Sequence, residues 1–347
     1  MRYTLFWHRL THWEYWPLWA IYYPLFPVWL YLSAKARSFF FFNAVNPSMK
    51  NGGMAMESKM EIYENIPRKY IPNTFLVKKG TTLHAVSEQI KKRNIQFPCI
   101  AKPDIGMKAF AVEKLYGEED VQRYLEKTPS DFLVQEFIPY RKEVGIFYVR
   151  YPGESKGKIT GIVAKDFLTV KGDGRSSLLE LIKQDPRSHI QLDALRERLG
   201  ESELATIPEK GLEHILVPYG SHTRGAKFLD RTHLNNAELE KTLNTICAQI
   251  DGFYYGRLDI LCSSFDSLSK GKDFKVIEVN GAGSEATHIY DPKHSLFFAW
   301  GEIIRHWNHM CNISIINHKK GYPYLSYKAG RTMLREHVAL ESQLKLI

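Results

Sequence analysis

From Tyr15 to Ala34 the chain runs for 20 residues without an Asp, Glu, Lys or Arg. As one continuous helix such a run would reach about 30 Å, roughly the hydrocarbon thickness of a bilayer. Pro17, Pro24 and Pro27 interrupt it, and each removes a helical N–H and obstructs the preceding turn. The segment is dense in aromatics: Trp13, Tyr15, Trp16, Trp19, Tyr22, Tyr23, Trp29 and Tyr31. Trp and Tyr favour the headgroup boundary over the bilayer centre. Arg2 and Arg9 precede the run while Lys35 and Arg37 follow it, so cation bias selects no orientation. No small-residue cleavage site follows, which argues against a removable signal peptide. Three structures suit residues 1–45. They are a segment on or re-entering a membrane surface, a single span, and a buried part of a soluble N-terminal domain with Phe39-Phe40-Phe41-Phe42 as a core strand.

Beyond this segment the composition is that of a globular protein. The 347 residues are 44% apolar and 24% charged, which excludes disordered, collagen-like and acidic-tail classes and fits two or three domains. A net charge of +9 and a pI near 9.1 favour anionic partners without choosing among them. Cys99, Cys247, Cys262 and Cys311 form no CxxC pair or zinc spacing. Neither a disulfide framework nor a thiolate metal site is expected, and a reducing, cytoplasmic setting follows.

Strand signals fall at 74–77, 97–102, 132–137, 144–151, 159–164, 255–261 and 274–279. Helical spacing marks 57–65, 82–93, 178–184, 237–250 and a C-terminal helix at 333–346. The mixture predicts an α+β (α/β) fold. The polar insertion Ser263 to Lys272 reads as a surface hairpin.

Three segments carry candidate chemistry. In the first, Lys102 ends an apolar strand before the loop Asp104-Ile105-Gly106-Met107-Lys108-Ala109. A lysine there can meet phosphate oxygens while backbone N–H groups cover them; a solvated lysine is the plain alternative. The second is Phe132-Leu133-Val134-Gln135-Glu136-Phe137-Ile138 with Glu143 beyond. An extended hinge offers a C=O and N–H pair to an adenine edge, and a carboxylate nearby can accept ribose hydroxyls; otherwise Glu143 is a surface strand charge. The third is Gly256-Arg257-Leu258-Asp259-Ile260 with Val276-Ile277-Glu278-Val279-Asn280-Gly281. Alternate residues of a strand share a face, so Glu278 and Asn280 point together. With Asp259 they offer three hard oxygens suited to Mg²⁺. The competing expectation is that Asp259 pairs with Arg257, since a carboxylate in an apolar run needs a metal or a cation.

In this order the segments resemble the ATP-grasp superfamily, across roughly residues 55 to 315. They are most similar to the carboxylate–amine ligases: D-alanine–D-alanine ligase, cyanophycin synthetase and glutathione synthetase. GRLDI and IEVN stand where the first of these has its "GRVDV" and "LEAN" strands. Val170 to Ile182 resembles the "VxGDGxxTxxELI" signature of the cyanophycin and bifunctional glutathione enzymes. Glu57-Ser58-Lys59 and Ile71-Pro72-Asn73-Thr74 resemble the "DK…IPxT" lead-in.

The resemblance implies two α+β subdomains clamping ATP, with the aromatic segment in place of a full preceding domain. It divides the chain into residues 1–45, a lead-in and first subdomain at 46–96, a lid subdomain at 97–185, a core with the metal site at 186–315 and a basic tail at 316–347. Lys59 and Lys102 would bind ATP phosphates. Gln135 or Glu136 would sit at the adenine hinge, and Glu143 would hold the ribose. Lys165, on a lid strand, would reach the phosphates. Asp259, Glu278 and Asn280 would hold one or two Mg²⁺ ions, for which Mn²⁺ can substitute. Arg257 would stabilise the acyl-phosphate and the tetrahedral intermediate. Gly283 and Ser284 would contact substrate, as would Arg224 in the loop Ser221-His222-Thr223-Arg224-Gly225 unless it is a plain surface cation.

The implied activity is ATP-dependent amide formation between an unidentified carboxylate and an unidentified amine through an acylphosphate, with ADP and phosphate released. The alternatives are a small-molecule or lipid kinase of the same fold and a non-catalytic nucleotide-binding protein on a membrane surface. No nucleic-acid partner is expected, and the expected location is the cytoplasm, with residues 1–45 on the inner face of the cell membrane if they bind it. The loop GAGSEATH departs from the "TSPGMT" of the dipeptide ligase, so D-alanine is not indicated. His288, His294, His306 and His309 match no metal-ligand spacing.

Overall fold

Apolar alternation and Gly/Pro punctuation sort the chain into short strands joined by helices. The computed structural model describes residues 2–106, 110–217, 220 and 224–345. The strands are β1 (Thr74–Val77), β2 (Cys99–Pro103), β3 (Glu113–Leu115), β4 (Phe132–Glu136), β5 (Lys142–Val149), β6 (Lys158–Asp166), β7 (Leu168–Lys171), β8 (Glu213–Val217), β9 (Lys227–Asp230), β10 (Tyr255–Cys262) and β11 (Phe274–Asn280). One sheet has the order β1-β4-β2-β3, a second β11-β10-β5-β6-β9, and β7 pairs with β8. The ladders described are antiparallel, and with the surrounding helices they make a mixed α+β fold.

Hydrogen bonding does not follow the divisions drawn at 96/97 and 185/186. β1 joins the sheet of β2 and β4, while β5 and β6 join β10 and β9. Antiparallel ladders thus unite strands from either side of both expected limits. The polar insertion is a short helix, Phe265–Ser269, rather than a hairpin. The Ser264 hydroxyl caps it by accepting from Ser267 N–H, and Leu268 is buried beneath it.

The N-terminal segment folds as α1 (Arg2–Thr11), α2 (Leu18–Tyr22) and α3 (Phe26–Ala36). Its prolines fall where a helix tolerates them: Pro17 precedes α2, Pro24 lies in a 3-10 turn, and Pro27 lies in the first turn of α3. Ile21, Leu25, Leu32 and Ala36 are buried in one core with the long helix Leu296–Lys319 and with Phe147, Val149, Val163 and Tyr255 of the larger sheet. Polar bonds fix the docking. Trp300 Nε1 donates to Ile21 O (3.0 Å), Trp13 Nε1 to His294 O (2.8 Å), and Asn317 Nδ2 to Ala44 O (2.8 Å). The buried-segment alternative therefore describes the inner face of these helices. No helix among the described residues is long and apolar enough to cross a membrane, which removes the single span. The Phe39–Phe42 strand is also corrected. Phe41–Ala44 is a 3-10 turn, and Phe40, Phe41 and Phe42 are buried there without joining a sheet.

A second core lies under the opposite face of the larger sheet, where Val144, Ile146, Tyr148, Leu258 and Ile260 meet the helix Ala237–Cys247 and α4 (Lys59–Glu64). Period-2 alternation thus gives both faces of β5 and β10 an apolar load. At one end, however, the face bearing Phe147 and Tyr255 turns charged.

Candidate active site

The charged end is built by register. Asp259 stands opposite Glu278 and Arg257 opposite Asn280 across the β10–β11 ladder, while Glu143 stands opposite Lys165 across β5–β6. Cross-strand partners and i, i+2 neighbours share a face. Arg257, Asp259, Glu278, Asn280, Glu143 and Lys165 are therefore gathered on one side of one sheet.

The ion pairs are close and largely dry. Lys165 Nζ lies 2.6 Å from Glu143 Oε1 and 3.1 Å from Asp259 Oδ2. Arg257 forks onto Asp259, Nε to Oδ1 at 2.7 Å and Nη2 to Oδ2 at 3.1 Å, while its Nη1 donates to Glu285 O at 3.2 Å. Burial alone would raise the Asp259 carboxyl, but Arg257 and Lys165 bring it down to about 2. Burial opposes the charged form of Lys165, yet Asp259 and Glu143 hold its pKa above the ordinary lysine value. The pairing of Asp259 with Arg257 is thus present, and both carboxylate oxygens already face cations.

Lys102 approaches from the four-stranded sheet. Its Nζ donates to Tyr63 Oη (2.9 Å), Gln135 Oε1 (3.0 Å) and Ile277 O (3.0 Å). A shift of register past Asp259 leaves Ile277 without a partner on β10, and its carbonyl turns toward Lys102 and Tyr63. Burial depresses the Lys102 ammonium to about 8, only partly offset by Glu278. Gln135 belongs to this cluster, donating also to Thr74 Oγ1 at 2.8 Å. Glu136 does not. Its carboxylate accepts from Asn73 N–H at 3.0 Å on the other face of β4.

Lys59 opens α4, which Ser58 caps, and donates to Gly106 O at 2.9 Å with Glu278 at 3.9 Å. Glu143 holds Lys165 in this structure. Lys165 lies in β6, between β5 and β9 of the main sheet, and not on a separate lid strand. Gly281 to Ser284 packs backbone-first on the turn at 51–54: Gly283 N–H donates to Gly53 O at 2.8 Å, and Ser284 Oγ donates back to Gly281 O at 2.5 Å. Arg224 is half-buried, and its neighbour Gly225 rests on Leu168 and Gln191, toward β7. Ser221, His222 and Thr223, with Met107, Lys108 and Ala109 of the other expected loop, lie outside the described residues.

Some residues of the site were not singled out from sequence. Tyr63 follows Lys59 by one helical turn, which was the available signal. Glu57 precedes Lys59; its Oε2 is buried without a hydrogen-bond partner, and burial, with a smaller contribution from Glu278, raises its pKa. Glu285 accepts from Tyr22 and Tyr290 hydroxyls. No local pattern linked Tyr22 to Glu285, 263 residues away.

Among the described residues no three of His, Cys, Asp and Glu gather as a metal site. A divalent cation would need the Asn280 amide, waters and phosphate oxygens besides a carboxylate, a donor set that suits Mg²⁺. The observations fit such an ion at Glu278, whose side chain is 33% exposed, beside the orphaned Glu57 oxygen, with the Asn280 amide oxygen available from the same face of β11. They fit Asp259 less well, because its oxygens are taken by Arg257 and Lys165.

No protein-family model matches the chain, and no curated protein matches it. Among solved structures it is similar to D-alanine–D-alanine ligase from Bacillus anthracis, at 15% identity over 79% of this chain and 72% of that one, with a TM-score of 0.46. It is similar to the VanG D-Ala:D-Ser ligase from Enterococcus faecalis at 13% identity over 78% and 64% of the two chains (TM-score 0.44). For a bifunctional glutathione synthetase from Pasteurella multocida the values are 14%, 75% and 38% (TM-score 0.41). The chain thus spans less than two thirds of the latter two proteins. Across likenesses this distant, no substrate or residue role passes from those proteins to this one.

Proposed function

We propose that the protein is an ATP-dependent carboxylate–amine ligase of the ATP-grasp type. The observation that carries this reading is the convergence of Lys102, Lys165 and Arg257 with Glu278 and Asn280 where two sheets meet. Four cations including Lys59 would neutralise a triphosphate, and none is positioned as a nucleophile's base. Chemistry there would come from alignment and charge neutralisation.

ATP phosphates would draw Lys102 from Gln135 and Lys165 from its carboxylates. Tyr63 and Ile277 O would steer Lys102, and Gln135, at the end of β4, marks the hinge for the base. A substrate carboxylate oxygen then attacks the γ-phosphorus, and the P–O bond to ADP breaks with its electron pair leaving on ADP. The amine nitrogen attacks the acyl carbon, phosphate leaves, and the nitrogen proton passes to water. Arg257, held by Asp259 and Glu285 O, would face the charge that builds on the acyl oxygens. Mg²⁺ bound with ATP would be held by Glu278 and Asn280 and would neutralise phosphate charge. Use of ATP and four unpaired thiols suit a cytoplasmic setting.

The test is an ADP-release screen over carboxylates and amines with hydroxylamine present. A carboxylate-dependent hydroxamate is expected. A stable phosphorylated alcohol with no amine requirement would make the protein a kinase instead.

A further inference from the structure

The N-terminal helices are apolar on two faces, and only one is covered. Backbone angles at Tyr22, Tyr23, Leu25 and Phe26 stay right-handed helical, so α2 runs into α3 through a single 3-10 turn. Ile21, Leu25, Leu32 and Ala36 face the core. Trp19, Tyr23, Phe26 and Leu30, spaced by four, three and four, form the opposite stripe, and they are 73%, 76%, 46% and 47% exposed. Helices of a water-facing surface carry charges on that stripe; here it has none.

The exposed charges within residues 1–56 are of one sign. Residues 1–56 contain a single acid, Glu14, which is buried against Arg187 at 2.6 Å. Arg9, Lys35 and Arg37 are exposed at the ends of the segment. A second copy docked by a two-fold axis would bring these cations onto themselves. Anionic headgroups would complement them, and exposed Trp and Tyr suit the headgroup boundary. The inner face is locked in the core and no helix among the described residues is long and apolar enough to cross, so the segment would lie flat.

We propose that the outer face of α2 and α3 is a docking surface for an anionic phospholipid bilayer, seated at the headgroup level. The proposal stands apart from the ligase assignment, since it uses none of the residues assigned to ATP.

Flotation of the full chain with vesicles tests it. Wild type should float with phosphatidylcholine vesicles containing about one third phosphatidylglycerol and bind pure phosphatidylcholine at least about tenfold more weakly. Trp19→Ser/Phe26→Ser should lower partitioning about tenfold with an unchanged unfolding midpoint, because both side chains are exposed. Arg9→Gln/Arg37→Gln should abolish the preference for anionic vesicles. Wild type that stays unbound with both vesicle types would overturn the proposal. So would equal flotation of the double-serine variant, or a concentration-dependent dimer that this variant converts to monomer.

Discussion

Lys165 Nζ stands 3.1 Å from Asp259 Oδ2, between side chains only 6% and 4% exposed. That contact ties β6 to β10 across the intervening β5, and it makes Asp259 structural whatever else the carboxylate does. Asp259→Ala would strand two buried cations. The expected cost is about 3–5 kcal/mol, read by urea unfolding, together with loss of ATP turnover. The carboxyl is depressed to about 2 against an unfolded value near 4. Its contribution is therefore complete above about pH 4 and lost as pH falls toward 2.

Lys102 gives stability the same sign of pH dependence, but in the alkaline range and as a burial penalty relieved by deprotonation. Its native pKa of about 8 lies below the ordinary value of about 10.4. Between those values the unfolded chain holds the proton and the native one does not, so stability should rise with pH, by at most about 1.4 kcal/mol per unit. Lys102→Met should flatten this rise in unfolding curves taken at successive pH values.

Gly281 meets the turn at Gly52 and Gly53 without room for a side chain. A Cβ there would stand 2.5 Å from Gly52 O and 2.8 Å from Gly53 Cα. Gly281→Ala should cost about 1–3 kcal/mol by overpacking and displace the loop beside Arg257. Lower thermal stability with lowered turnover is the expected pair of readings.

Deletion of residues 1–40 should not give a folded protein. It would remove Ile21, Leu25, Leu32 and Phe40 from their core and uncover the helix Leu296–Lys319. Insoluble or protease-sensitive product is expected on expression, with no cooperative melt.

The sequence reveals the β10–β11 face because Leu258, Ile260 and Val279 alternate with Arg257, Asp259, Glu278 and Asn280, and a period of two leaves one choice of side. It leaves open what Asp259 would touch, since Lys165 arrives from 94 residues away. Nor does it say which way the last two residues of β4 face: pairing with β2 turns Gln135 toward Lys102 and Glu136 away. Residues 1–45 were the hardest segment, because aromatic runs without charge suit a protein core and a bilayer surface equally, and here one face of the same helix is buried and the other exposed.

The most direct measurement is calorimetric titration of MgATP into the full chain, wild type and Lys102→Met, each first shown to unfold cooperatively. Saturable binding by the wild type and at least about tenfold weaker binding by the variant are predicted. Equal affinities, or no binding by the wild type at millimolar MgATP, would contradict the assignment of Lys102 to the triphosphate.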